Sequence, residues 1–347
     1  FETKGYSNGF TYLNNVRRAS YPGGEVAIDF KIKDFRQQLQ KDMDIHLRMT
    51  MLNDFDLSEV ALASGAPPQR DGNPESLEFV MARRSGKNLD SLFTTVYEPY
   101  NGERYVKSME QVSIVRNGGE KPTTTDTAKA IKVELTNGNT DYIVYATNNK
   151  VSYRVDDLFD FQGFVGVYTV KDGDVVYMYG NDAAKIGTMT ATDAYTGKVV
   201  DFTRELSEEN ALTVSFDQAI NEDQLVGKFI VVKNGLTENG VYEIKGVTAL
   251  GSNKYELDVG DCRFITSFKD AQNMDAGYNY LVAEGDSFRI PLPAISETIP
   301  VFTQIADQSV EAGSELKFQV HAMSPNGREL RYSGNTLPRG AQFDPET

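Results

Sequence analysis

Residues 25–33, EVAIDFKIK, put Val26, Ile28, Phe30 and Ile32 on one side of an extended chain and mostly charged residues on the other. Apolar residues at every second position mark a strand with one buried face. The alternation returns at Ile131, Val133 and Leu135, at Leu212, Val214 and Phe216, and at Leu316, Phe318 and Val320, so strands are expected along the whole chain. Between these runs lie turn signals: Pro22-Gly23-Gly24, Asn117-Gly118-Gly119, Lys171-Asp172-Gly173-Asp174 and Asn234-Gly235. The helical candidates, 35–44 and 267–274, are short and poorly amphipathic. The pattern predicts an all-β chain of antiparallel β-sandwich domains.

Composition agrees. The 347 residues carry 29 Gly, 18 Tyr and 19 Phe with no Trp, a mixture suited to pleated surfaces joined by turns. With 40% apolar and 24% charged residues the chain is globular and long enough for two or three domains. Acidic residues outnumber basic ones 50 to 35, giving a net charge of -15. A phosphate backbone would be bound against that field, so nucleic acid and anionic membrane are excluded as expected partners. No apolar run approaches the roughly 20 residues that cross a bilayer, and the first residues lack the charged head and apolar core of a signal peptide, so neither is expected.

Cys262 is the sole cysteine, which rules out an intrachain disulfide and any cysteine-based metal cluster. It reads as a small buried core residue. The two histidines, His46 and His321, both have strand-like neighbours and are too far apart in sequence for the common zinc spacings. The calcium-loop pattern, the Gly-x-Ser-x-Gly elbow, the phosphate-binding loop and the dinucleotide fingerprint are absent from the sequence. No cofactor is expected. Structural calcium stays open, since separate acidic loops can assemble carboxylates and carbonyls.

Three segments are expected. Residues 1–205 read as a large antiparallel β-sandwich and 206–297 as a second β-rich portion, with the softer boundary near 203–211. Residues 298–347 follow a Pro291-Leu292-Pro293 boundary and read as part of an immunoglobulin-like module. Two polar Gly/Pro-rich stretches, 63–76 and 116–127, read as surface loops.

Two places carry candidate chemistry. In Ile45-His46-Leu47-Arg48-Met49-Thr50-Met51 the apolar set puts His46, Arg48 and Thr50 on the opposite, wetter face, where a His beside an Arg can bind a carboxylate. In MARRSGKNLDSLFTTVYEPYNGERYVK, Arg83, Arg84 and Arg104 accompany Tyr97, Tyr100 and Tyr105. Tyr faces stack on sugar rings and Arg holds uronate carboxylates. The substrate-binding candidates are therefore His46, Arg48, Arg83, Arg84, Tyr97 and Tyr100. The competing reading is ordinary: a hydrogen-bonded His on a sheet face, and Tyr pairs covered by Arg stems. No catalytic residue is assigned, because fifty acidic residues always offer some carboxylate pair.

HLRMTMLND, SEVALASGAPPQ and LEFVMARRSGKNLDSLFTTVYEPYNGERYVKSME, between His46 and Glu110, resemble the β-rich C-terminal part of heparinase II/III-like bacterial polysaccharide lyases. The arginine pair and Glu98-Pro99-Tyr100 carry most of that likeness. VYEIKGVTALGSNKYELDVGD and GYNYLVAEGDSFRIP, within residues 229–290, resemble the later β-sheet portion of large secreted members. PVFTQIADQSVEAGSELKFQVHAMSPNGRELRYSGNTLPRGAQFDPET is similar to immunoglobulin-like, cadherin-related modules of bacterial surface proteins. The resemblance implies a secreted or cell-surface bacterial protein that acts on anionic polysaccharide by β-elimination, with an α/α toroid upstream. No helix-rich half is legible in this chain, and no zinc-ligand histidine pattern of the family matches it. The resemblance therefore implies the non-catalytic β part, which supports the toroid and contributes to substrate binding. The alternative is a stand-alone carbohydrate-binding or adhesive surface module.

Overall fold

A computed structural model describes residues 13–21, 24–34, 43–53, 57–66, 72–89, 91–123, 126–235 and 237–296, and beyond them 301–302, 305, 308–311, 313–323, 330–334 and 337–344. The chain is all-β. Among the described residues the helices are single 3-10 turns, and none is long and apolar enough to cross a membrane. Two compact units form: residues 1–112, 131–141 and 300–347 make unit 1, and residues 113–130 and 142–299 make unit 2.

Unit 1 begins with β1 (Leu13–Tyr21), β2 (Gly24–Lys31), β3 (Ile45–Asn53), β4 (Leu57–Gly65), β5 (Leu77–Arg83), β6 (Thr94–Asn101) and β7 (Val106–Gln111). The first six form two three-stranded antiparallel sheets, β2-β3-β6 and β1-β4-β5. Val26, Met49 and Met51 from the first meet Val60 from the second, with Ile28, Phe30, Val80 and Ala82 packed around them. The period-2 face of EVAIDFKIK is thus one side of a sheet-on-sheet core. Strand β3 is buried on both faces at its C-terminal end. There Leu52 packs with Val106 of β7 and with Ile131 and Val133, and Thr50 is sealed in as well. His46 and Arg48 share the Thr50–Leu52 face but lie beyond this cover, at the open end of the strand.

Unit 2 contains β8 (Ile114–Arg116), then, after β9 (Ala128–Leu135) and β10 (Asn139–Ala146), which run across the unit limits, β11 (Tyr153–Val155), β12 (Phe159–Lys171), β13 (Asp174–Ile186) and β14 (Met189–Thr190). Strands β12 and β13 form a long hairpin closed by Asp172 and Gly173 at φ 53° and 88°, both left-handed, as a tight two-residue turn demands. The 3-10 turn Glu222–Gln224 lies within a second set of strands: β15 (Ala194–Phe202), β16 (Asn210–Phe216), β17 (Phe229–Asn234), β18 (Thr237–Glu243), β19 (Gly246–Gly251) and β20 (Lys254–Gly260). After them come β21 (Ile265–Phe268), β22 (Tyr278–Tyr280), β23 (Ser287–Pro291) and β24 (Pro293–Ile295). Seven of these build the antiparallel sheet β18-β17-β23-β15-β16-β20-β19, which curls into a half-barrel. Its buried core carries Val199, Leu212, Val214, Phe216, Ile230, Val232, Leu257, Phe288 and Ile290. Each large apolar side chain so buried contributes about 1.5–3 kcal/mol. Gly197 is placed by this packing: a Cβ there would stand 2.1 Å from the Ser215 carbonyl oxygen and 2.8 Å from the Phe288 ring.

Several expectations meet the structure directly. The Ile131–Leu135 and Leu212–Phe216 alternations are strands, and Leu212 and Val214 are fully buried. Residues 267–274 are instead the end of β21 and a turn leading to β22; Asp270 and Asn273 there accept backbone hydrogen bonds in turn fashion. The other helical candidate, 35–44, lies almost wholly outside the described residues. The Leu316–Val320 alternation is not a strand, and Leu316 and Phe318 are exposed. Beyond residue 300 the described residues pair only as β25 (Val301–Phe302) with β26 (Ala322–Met323), and His321 is an exposed residue just before β26. Cys262 is exposed rather than buried in the core. Strand β20 ends at Gly260, at φ 65°, so the chain swings outward and Phe264 is the next residue to enter the core. Residues 203–209 connect β15 to β16, neighbours in one sheet.

Candidate functional site

The register of unit 1 assembles a polar cluster that no local motif announces. Strand β3 runs between β2 and β6, so Lys31 and Tyr100 flank His46, and Asp29 and Glu98 flank Arg48. Asp29 is the hub. Its Oδ2 accepts the Tyr100 hydroxyl at 2.5 Å, its Oδ1 lies 2.5 Å from His46 Nδ1, and an Arg48 terminal nitrogen stands 3.9 Å away. His46 Nε2 faces Asp44 Oδ1 at 3.4 Å, and Lys31 Nζ reaches the same oxygen at 2.5 Å. The imidazole stacks on the Tyr100 ring, with centroids 5.1 Å apart and planes 18° from parallel.

The electrostatics follow from this wiring. Carboxylates only accept, so an imidazole with a carboxylate at each nitrogen is favoured in its charged form. Asp29, and after it Asp44, raise His46 above its ordinary value. The Tyr100 hydrogen bond, then His46 and Arg48, hold Asp29 below the usual carboxylate range, against some desolvation. Lys31 does the same for Asp44. Tyr100 moves up, chiefly because its proton is committed to Asp29. At neutral pH the phenol is therefore a fixed donor.

Glu98 is buried deeper, only 1% exposed. One of its oxygens accepts the Arg104 Nε–H at 2.8 Å and pairs with a terminal guanidinium nitrogen at the same distance, and the other accepts the backbone N–H groups of Tyr105 and Val106. With Arg104 on one oxygen and two backbone N–H groups on the other, Glu98 locks the turn from β6 into β7.

The structure brings together three of the six sequence candidates: His46, Arg48 and Tyr100. Tyr97 alternates to the other face of β6 and is 60% exposed. Arg83, at the end of β5, stands 4.0 Å from Glu59. Arg84 donates to Ser91 at 2.8 Å. The partners Asp29, Asp44 and Lys31 escaped sequence reading, although Asp29 and Lys31 lie on the charged side of EVAIDFKIK. Folding β2 onto β3 as a hairpin would have set Asp29 opposite Arg48 and Lys31 opposite His46. Unit 2 holds a second polar knot, in which buried Asp126 accepts Arg116 Nε at 2.6 Å, the Thr123 N–H at 2.8 Å and the Tyr153 hydroxyl at 3.2 Å. Arg116 above all drives Asp126 far below the carboxylate range. Burial, with Asp126 beside it, pushes Tyr153 up. Among the described residues no three His, Cys, Asp or Glu side chains converge as metal ligands. The chain matches no known family model, no curated protein and no solved structure.

Proposed function

We propose that this chain is the non-catalytic β part of a secreted or cell-surface bacterial lyase that cleaves uronate-containing polysaccharide by β-elimination. It would support an upstream α/α toroid and help to hold the anionic substrate. The observation that carries the non-catalytic assignment is the Tyr100–Asp29 hydrogen bond. A phenol that abstracts a proton needs its pKa brought down toward the working pH, whereas Asp29 drives that of Tyr100 upward. His46 is likewise biased toward its proton-bearing form by a carboxylate at each ring nitrogen, which works against its use as a base.

A stand-alone carbohydrate-binding or adhesive module is the second reading. It is favoured by the core of unit 2, which among the described residues closes on strand and loop side chains without a helical layer. Ultraviolet absorbance of the unsaturated uronate product separates the readings. Product formed by this chain mixed with its upstream half, and not by this chain alone, is the result expected of a supporting β part. Product from this chain alone contradicts the non-catalytic assignment. Silence in both, with retardation of the chain in anionic polysaccharide gels, moves the assignment to the binding module.

A further inference from the structure

A cavity of about 390 Å³ opens in unit 2 beside the 3-10 turn Glu222–Gln224. Tyr195 of β15, Asp223 and Gln224 of the turn, Val226 and Lys228 of the following loop and Pro293 of β24 line it. That volume lies in the ~300–1,000 Å³ range of small-molecule sites. Tyr195 is a brace here. Its oxygen accepts the Asn221 N–H at 3.1 Å, and its hydroxyl donates to Gln224 Oε1 at 3.3 Å, which fixes the Gln224 amide at the rim. Lys228 is half-buried, yet among the described residues no carboxylate pairs with it, and the Asp223 carboxylate has no basic partner. In a chain with 50 acidic and 35 basic residues, a half-buried lysine left unpaired at a cavity is a waiting partner for an anionic group.

The lining selects the ligand class. A purely apolar ligand would strip water from three polar side chains and return no hydrogen bond. A metal ion would find a single carboxylate beside a cation. A polyphosphate would meet Asp223. A pyranose with one carboxylate satisfies all of it: a C–H face for Val226 and Pro293, hydroxyls that donate to Asp223 and accept from Gln224, and an acid group for Lys228. We infer that this cavity is a subsite for a single uronosyl residue of a polysaccharide chain, with Lys228 holding its carboxylate. The inference rests on the polysaccharide-binding reading above and names the place and the residue that recognise the acid.

Calorimetric titration of the full chain with oligomers of galacturonate, glucuronate and mannuronate, and with a neutral glucan of equal length, tests it. Binding of at least one uronate oligomer in preference to the glucan is expected. Lys228→Ala should weaken it about 10- to 100-fold, the worth of a hydrogen bond to a charged group, while Lys171→Ala on the β12–β13 turn leaves it unchanged. If Lys228→Ala lowers the melting temperature, Lys228→Met, which keeps the aliphatic stem, takes its place in the comparison. Wild-type affinity in a folded Lys228 variant overturns the subsite and leaves the polysaccharide reading standing. Equal binding of the glucan removes the role of the carboxylate and overturns it too. Absence of binding to every oligomer overturns the polysaccharide reading itself.

Discussion

The Tyr100 hydroxyl and the Asp29 carboxylate meet at 2.5 Å across two strand pairings, although 71 residues separate them in sequence. Strand β3 lies between their strands, so the bond spans the sheet over His46 and ties all three strands at their open end. The pair also sets the charge state of its neighbours, because Asp29 kept ionised by Tyr100 is what favours the imidazolium of His46.

That coupling predicts a pH dependence of stability. His46 titrates above its ordinary value of 6.5 in the folded chain. Its contribution is therefore complete below about pH 6.5 and fades as pH rises through the elevated value. Asp29 titrates below its ordinary 3.8, so its contribution is present above that value and lost as pH falls through the lowered one. Asp44 and Tyr100 border the same imidazole, while Lys31 reaches Asp44 and Arg48 reaches Asp29. Thermal melts of wild type and His46→Gln from about pH 5.5 to about pH 8.5 should show an advantage for wild type that shrinks with rising pH. An advantage that is flat or grows would contradict the Asp29–His46 pair.

Glu98→Ala should be costly for a different reason. It strands the buried Val106 N–H and leaves the Arg104 guanidinium without its carboxylate partner. A loss of about 2–4 kcal/mol is expected, measured by urea denaturation at fixed temperature. Glu98→Gln, which still accepts at one oxygen, should lose less. Equal losses would mean that the charge of Glu98, rather than its shape and its remaining acceptor, holds the β6–β7 turn.

How much of this was legible follows from range. Period-2 alternation is local, so β2, β9 and β16 could be read from their own residues, and the Asp172-Gly173 turn announced itself. Register is not local. Which carboxylate faces His46 depends on how β2 and β6 align on β3, and a slip of one residue would turn Asp29 to the other face. The Leu316–Val320 alternation shows the opposite failure, a sound pattern in residues that the structure leaves exposed. Ser252 and Asn253, both at positive φ, are the two turn residues of the β19–β20 hairpin, directly after Gly251 at φ 85°. Asn is the residue whose short polar side chain tolerates that conformation, but a single Ser-Asn pair is too weak a signal to fix a turn in advance.

Cys262 offers a direct check on one such reversal. As the sole cysteine and an exposed one, it should react with one equivalent of a thiol-specific chromogenic reagent in the native chain, at a rate close to that after denaturation. Slow reaction before unfolding and fast reaction after would put it back in the core. Cys262→Ser should leave the melting temperature unchanged, since no packing is lost.

Gly197 predicts the sharpest single-site effect. The residue lies in β15 between β16 and β23, with the Ser215 carbonyl and the Phe288 ring closing over the space where a side chain would begin. Both obstacles are anchored, one as backbone and the other as a buried core aromatic, so neither can withdraw without breaking strand pairing or opening the core. Gly197→Ala should therefore destabilise unit 2 by more than ~3 kcal/mol, against the gain of up to about 1 kcal/mol that a glycine-to-alanine change gives where space allows. Gly173→Ala, at the open end of the β12–β13 hairpin where nothing stands within 4 Å, isolates the backbone part of such a change, because its φ of 88° strains any side chain. The larger loss should fall on Gly197, read as the difference in urea midpoints of the two variants. A smaller loss at Gly197 than at Gly173 would show that β16 and the Phe288 ring yield more readily than the buried packing of the half-barrel implies.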